Sequence, residues 1–169
     1  MTHECAGALI SRDFVLTSAA CLDENTKPRK PNTIIIQLGR KNFLSIDEMV
    51  QTFFAKEIIF HPNYVKKNYV SDVALLRLSK SASINDHVRP ICLWDNYLIP
   101  TTEVLVSGFD YDSAVYTGEE LHSIPMKLVN MKECMKNELE IGQGSSLICA
   151  TFLEKSVCLG KFVVGLLNK

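Results

Sequence analysis

A chain of 169 residues with 47% apolar and 22% charged side chains is long enough to bury a core of its own and too apolar to stay disordered. Eighteen Lys and Arg against nineteen Asp and Glu leave a net charge of -1, which excludes the basic footprint of a nucleic-acid binder or of a protein held on anionic lipid. No apolar run approaches the roughly 20 residues needed to cross a bilayer as a helix, so no membrane partner is expected.

Taken in chain order, runs rich in β-branched and aromatic residues fall at 8–17, 33–38, 50–60, 73–78, 103–107, 126–129, 147–152 and 162–167. Turn-forming clusters such as Asp23-Glu24-Asn25 and His61-Pro62-Asn63 separate them. Many short strands punctuated in this way predict an all-β sandwich or barrel. Residues 26–32, with two prolines and three basic residues, are expected to form a solvated loop. One short helix is expected at 130–140, where Met131, Cys134 and Met135 recur at i, i+3 and i+4 and Gly142 follows as a stop. Asp47 and Glu48 form a lone acidic pair, expected in a solvated loop.

Six cysteines, Cys5, Cys21, Cys92, Cys134, Cys149 and Cys158, include no CxxC pair, which argues against zinc and for disulfides formed in an oxidising compartment. Met1-Thr2-His3-Glu4 carries neither a charged n-region nor an apolar h-region, so no signal peptide is read at the start. Either an earlier segment is missing or the thiols stay reduced. The first alternative is favoured, because Cys5 already leads into a strand-like run.

Several blocks then follow in a telling order. Cys5-Ala6-Gly7-Ala8-Leu9-Ile10-Ser11 runs on to Phe14-Val15-Leu16-Thr17-Ser18-Ala19-Ala20-Cys21. Ile58-Ile59-Phe60-His61-Pro62-Asn63-Tyr64, Ser71-Asp72-Val73-Ala74-Leu75-Leu76-Arg77-Leu78, Val88-Arg89-Pro90-Ile91-Cys92-Leu93 and Val106-Ser107-Gly108-Phe109 come after. Wording and order resemble the trypsin-like serine proteases, whose corresponding blocks read CGGxLI, WVLTAAHC, HPxY, NDIALLxL, VxPIxL and VSGWG. The resemblance implies a chymotrypsin-like fold of two antiparallel six-stranded barrels with the active site in the cleft between them. Residues 1–95 would form the first barrel without its opening strand. Residues 96–169 would form the second, ending before the family's C-terminal helix.

The same resemblance implies disulfides Cys5–Cys21 and Cys134–Cys149, the second around the expected helix. It leaves Cys158 without a partner. It also places Cys92 where chymotrypsin-like and clip-domain members bond to an N-terminal segment.

Hydrolysis in this family needs a serine nucleophile, an imidazole base, a carboxylate that orients the base, and donors for the oxyanion. The base should precede the second cysteine of the first bridge, and Ala20 stands there. Asp72 matches the orienting acid and is expected to survive as a structural remnant held by backbone partners. Where the family reads GDSGGP, this chain reads Ser156-Val157-Cys158-Leu159-Gly160-Lys161-Phe162. By position matching, Lys161 and Phe162 replace the aspartate and the serine; by deletion, which is favoured, Gly160 joins directly to a later strand. Both alternatives remove the nucleophile.

No substitute emerges elsewhere. His61 belongs to the HPxY turn, Ser145 and Ser146 lack a GxSxG frame and a nearby base, and His87 and His122 are expected at the surface. His3 matches a family histidine that holds the aspartate beside the nucleophile in zymogens, and that aspartate is absent. The start supplies no IVGG-like terminus for activation, and Ser156 takes the place of a specificity-pocket aspartate. Arg40 and Val50 occupy the matching calcium-ligand positions, so no metal or other cofactor is expected.

The expectation is therefore a secreted, catalytically inactive serine protease homologue resembling the arthropod clip-domain type. It would bind other proteins, proteases or immune factors, in an extracellular cascade. The alternatives are a non-functional fragment of a trypsin-like endopeptidase gene and, more remotely, an active endopeptidase.

Overall fold

The computed structural model describes residues 5–24, 27–42, 48–68, 70–93, 103–110, 120–130, 148–152 and 160–165. In chain order the strands are β1 (Ala8–Leu9), β2 (Phe14–Thr17), β3 (Asp23–Glu24), β4 (Lys27–Pro28), β5 (Ile35–Leu38), β6 (Gln51–Phe60) and β7 (Ala74–Leu78). They are followed by β8 (Glu103–Asp110), β9 (Leu121–Val129), β10 (Cys149–Phe152) and β11 (Gly160–Gly165). Among the described residues the only helices are 3-10 turns at Ala19–Cys21, Pro31–Thr33 and Lys66–Asn68. The helix expected at 130–140 lies outside the described residues apart from Asn130, which is irregular.

Every pair of strands is antiparallel. β1-β2-β7-β6-β5 form one sheet, β10-β9-β8-β11 a second, and β3 with β4 a small ribbon. The all-β expectation holds, and two curled antiparallel sheets are what an incomplete chymotrypsin-like double barrel contains.

Alternation drives the first sheet. In β7, Ala74, Leu76 and Leu78 face inward and are buried, while Arg77 faces out toward Glu57 of β6, 3.8 Å away. In β2 the inward pair is Val15 and Thr17. β6 starts with Phe53 and Ala55 inward; a bulge between Ala55 and Glu57 then leaves Lys56 and Glu57 both exposed, after which Ile58 and Phe60 pack toward the core. Leu9, Val15, Leu22, Ile36, Phe53 and Leu76 belong to one cluster, and each such side chain taken out of water contributes about 1.5–3 kcal/mol. In the second sheet Val104, Val106, Leu128 and Cys149 are buried. The Leu121 N–H donates to the Lys41 carbonyl at 2.8 Å, and Asn42 Nδ2 donates to Glu120 Oε1 at 3.1 Å, so the two sheets meet there.

Several boundaries differ from the sequence expectation, two of them for a reason visible in local hydrogen bonds. The run 8–17 is two strands, because Ile10 N–H bonds the Phe14 carbonyl at 3.0 Å and the Ser11 hydroxyl accepts the Asp13 N–H at 3.2 Å, which reverses the chain. The loop expected at 26–32 contains β4 and a proline-led 3-10 turn, fastened by the Arg29 N–H on the Leu22 carbonyl at 2.9 Å. β9 begins five residues earlier than the run 126–129, at Leu121.

Candidate functional site

The turn Ala19–Cys21 and the start of β7 converge on one carboxylate. Ala19 is fully buried and Leu22 nearly so, which seats the turn in the first core, while the disulfide Cys5–Cys21 ties it to the chain entering β1. That entering segment is held a second time by the Thr17 hydroxyl, which donates to the Ala6 carbonyl at 2.8 Å. Gly7 is needed there: a Cβ would lie 2.7 Å from Val15 Cγ1 and 3.0 Å from the Leu16 carbonyl oxygen.

Asp72 stands between Ser71 and β7. Ser71 adopts φ 52°, a left-handed conformation that costs a residue with a side chain about 1–2 kcal/mol, and the Val73 N–H closes a tight turn onto the Ser71 carbonyl at 2.7 Å. The outcome of that strained turn is the placement of Asp72. Its Oδ1 accepts the Ala20 backbone N–H at 2.7 Å, and its Oδ2 accepts the Ser18 hydroxyl at 2.7 Å. Ser18, Ala20 and Asp72 are all half-buried.

Chemically this arrangement gathers two donors onto one carboxyl group. Position 20, where the resemblance implies an imidazole, presents a methyl group. Both oxygens of Asp72 are engaged by donors, and the Ala20 N–H, already committed to Asp72, is not free to face an oxyanion. The Ser18 hydroxyl is the one nucleophile-type group that touches Asp72 among the described contacts, and the group it touches is a carboxylate, a far weaker base than imidazole. Ser18 carried no role in the sequence reading. The available signal was a hydroxyl two residues before the alanine that replaces a base, on a turn adjoining a retained acid.

The other candidates fall as follows. His61 is exposed, in a turn where its Nδ1 accepts the Asn63 N–H at 3.2 Å and the Tyr64 N–H bonds the His61 carbonyl at 2.9 Å. His87 is exposed. His122 differs from the surface expectation: it lies half-buried in β9, opposite Gly108 of β8. Glu48 is exposed, and Arg40 and Val50 are half-buried. Cys92 is an exposed free thiol, and Cys149 is disulfide-bonded. His3, Asp47, Cys134, Ser145, Ser146, Ser156 and Cys158 lie outside the described residues. Lys161 and Phe162 stand within β11, opposite Phe109 and Gly108 of β8.

Comparison with known proteins gives one family. The trypsin family model matches residues 1–161. The chain is 30% identical over 170 residues to mannan-binding lectin serine protease 1 of Rattus norvegicus, covering 92% of this chain and 24% of that protein. It is 29% identical over 165 residues to a trypsin of Sarcophaga bullata, covering 95% of this chain and 62% of that one. With coagulation factor XI of Bos taurus it shares 31% over 166 residues, covering 94% of this chain and 26% of the relative. The chain thus spans less than two thirds of each of these relatives.

Proposed function

This chain belongs to the trypsin family, and from that premise we propose that it is a member without a working hydrolytic centre, acting by binding other proteins in an extracellular protease cascade. One observation carries the proposal: at the turn where the family's imidazole belongs, residue 20 offers a methyl group, and the retained acid Asp72 spends both oxygens on Ser18 and the Ala20 N–H. With no imidazole at position 20 to orient, the carboxylate serves the turn instead. On this reading the nucleophile loop has been deleted, and Gly160 leads straight into β11, of which it is the first residue.

A scaffold that keeps its core and its cross-links while losing proton chemistry remains suited to recognition. The Cys5–Cys21 disulfide supports an oxidising, extracellular setting. Within the same reading Cys149 pairs with Cys134, and exposed Cys92 is the attachment point for a segment outside this chain.

The experiment is affinity capture from extracellular fluid with the chain as bait, paired with a hydrolysis assay against a mixed peptide library. Saturable capture of a protease or an immune protein with no cleavage supports the proposal. Cleavage that survives removal of contaminating proteases, or capture no greater than with an unrelated disulfide-bonded bait, contradicts it.

A further inference from the structure

Ser18 occupies the position that should cap the turn Ala19–Cys21, with extended backbone at φ -73° and ψ 136°. A serine there ordinarily turns its hydroxyl back onto an N–H of its own turn. Here it makes no such bond. The hydroxyl instead donates to Asp72 Oδ2 at 2.7 Å, and it is Asp72 Oδ1 that accepts the Ala20 N–H at 2.7 Å, the bond a capping side chain would have made. The cap of this turn is therefore split across 52 to 54 residues of sequence, one part on the turn and the other on the strained corner before β7.

We propose that Ser18 is the residue that adapts this chain to an alanine at position 20. Its hydroxyl supplies Asp72 with the second donor that an imidazole would otherwise provide, and so converts the acid into a staple between the disulfide-bearing turn and β7. The inference rests on reading position 20 as the vacated base position. A half-buried carboxylate with one donor removed pays part of its desolvation cost. Retaining Asp72 without a base is thus costly unless a donor replaces the imidazole, and Ser18 is the donor in place. Ser18 is a positioning residue, and it acts through Asp72.

The test is a pair of double-mutant cycles in the full chain, read by amide exchange at Cys21 and Leu22. Their N–H groups bond back to Ser18 and Ala19 at 3.2 and 2.9 Å and report the turn. Ser18→Ala should lower their protection by about tenfold, the size expected for losing a hydrogen bond to a charged group, and Ser18→Thr should restore most of it. With Asp72 replaced by Ala, Ser18→Ala should have no further effect. With Ala20 replaced by His, Ser18→Ala should cost less than about threefold, and a strongly deshielded imidazole N–H proton should appear when the hydroxyl is gone.

Equal effects of Ser18→Ala in all three backgrounds would overturn the proposal, as would a Thr variant that behaves like Ala. Should the His variant not fold, the Asp72→Ala cycle and the Thr comparison decide alone. Cleavage of substrate by the unaltered chain would refute the functional reading while leaving this coupling intact, so the two failures are distinguishable.

Discussion

Replacing Cys5 and Cys21 together by alanine removes a cross-link that closes a sequence separation of 16 residues. In the chain-entropy treatment such a loop restricts the unfolded chain by about 3 kcal/mol at 25 °C. Little else compensates at this corner. Among the described contacts the entering segment is otherwise held by one hydroxyl bond from Thr17, by the two-residue ladder of β1 on β2 and by the Ile91 N–H on the Leu9 carbonyl at 2.8 Å. Cys21 also packs against the first core, so the loss should reach about 3 kcal/mol or slightly more. The assay is urea unfolding of the double variant beside the parent, with the Cys149 disulfide left intact in both. For a slope of about 1–3 kcal/mol per molar urea, the midpoint should fall by roughly 1–3 M at unchanged slope. A loss below about 1 kcal/mol, or an unchanged midpoint, would refute the argument that this bridge anchors the turn carrying residue 20.

Phe53→Ala, which empties a 3%-exposed site at the centre of the first cluster, should cost about 3–5 kcal/mol in the same assay. Gly39→Ala should cost about 1–2 kcal/mol from conformation alone, because φ is +78°, and more from contact, because the new Cβ would lie 3.0 Å from Val88 Cγ2; thermal unfolding reads this directly. Ser71→Val should destabilise by more than Ser71→Gly, since a β-branched side chain suits φ 52° worst and glycine best. Arg89→Ala breaks an ion pair to Asp86 in which both side chains are largely exposed, and should change the urea midpoint by an amount equivalent to less than about 1 kcal/mol.

Strands were legible where inward and outward residues alternate around one buried face. In β7, Ala74, Leu76 and Leu78 give that signal, whereas β2 was legible only as an apolar, β-branched run, since Phe14 and Leu16 lie on its outer side. The first half of β9 was not legible, because Pro125 reads as a strand breaker. The structure tolerates it: Pro125 pairs with Leu105 of β8, whereas β10 begins only opposite Met126, so the strand carrying Pro125 has a single described partner along that stretch. The split of β1 from β2 depended on the Ser11 hydroxyl, a side-chain effect that hydrophobic periodicity does not register. At the site, Asp72 and Ala20 could be named from motif order. For Ser18 the sequence offered only a hydroxyl near the alanine at position 20; its partner, 54 residues away, is supplied by the fold.

The most direct test of the account treats the purified chain with an excess of a serine-reactive fluorophosphonate and reads the intact mass, with a known trypsin alongside. No phosphonyl adduct on this chain, against complete labelling of the trypsin, is the predicted result. Stoichiometric attachment to one serine, Ser18 included, would contradict the claim that no hydroxyl here is activated for attack.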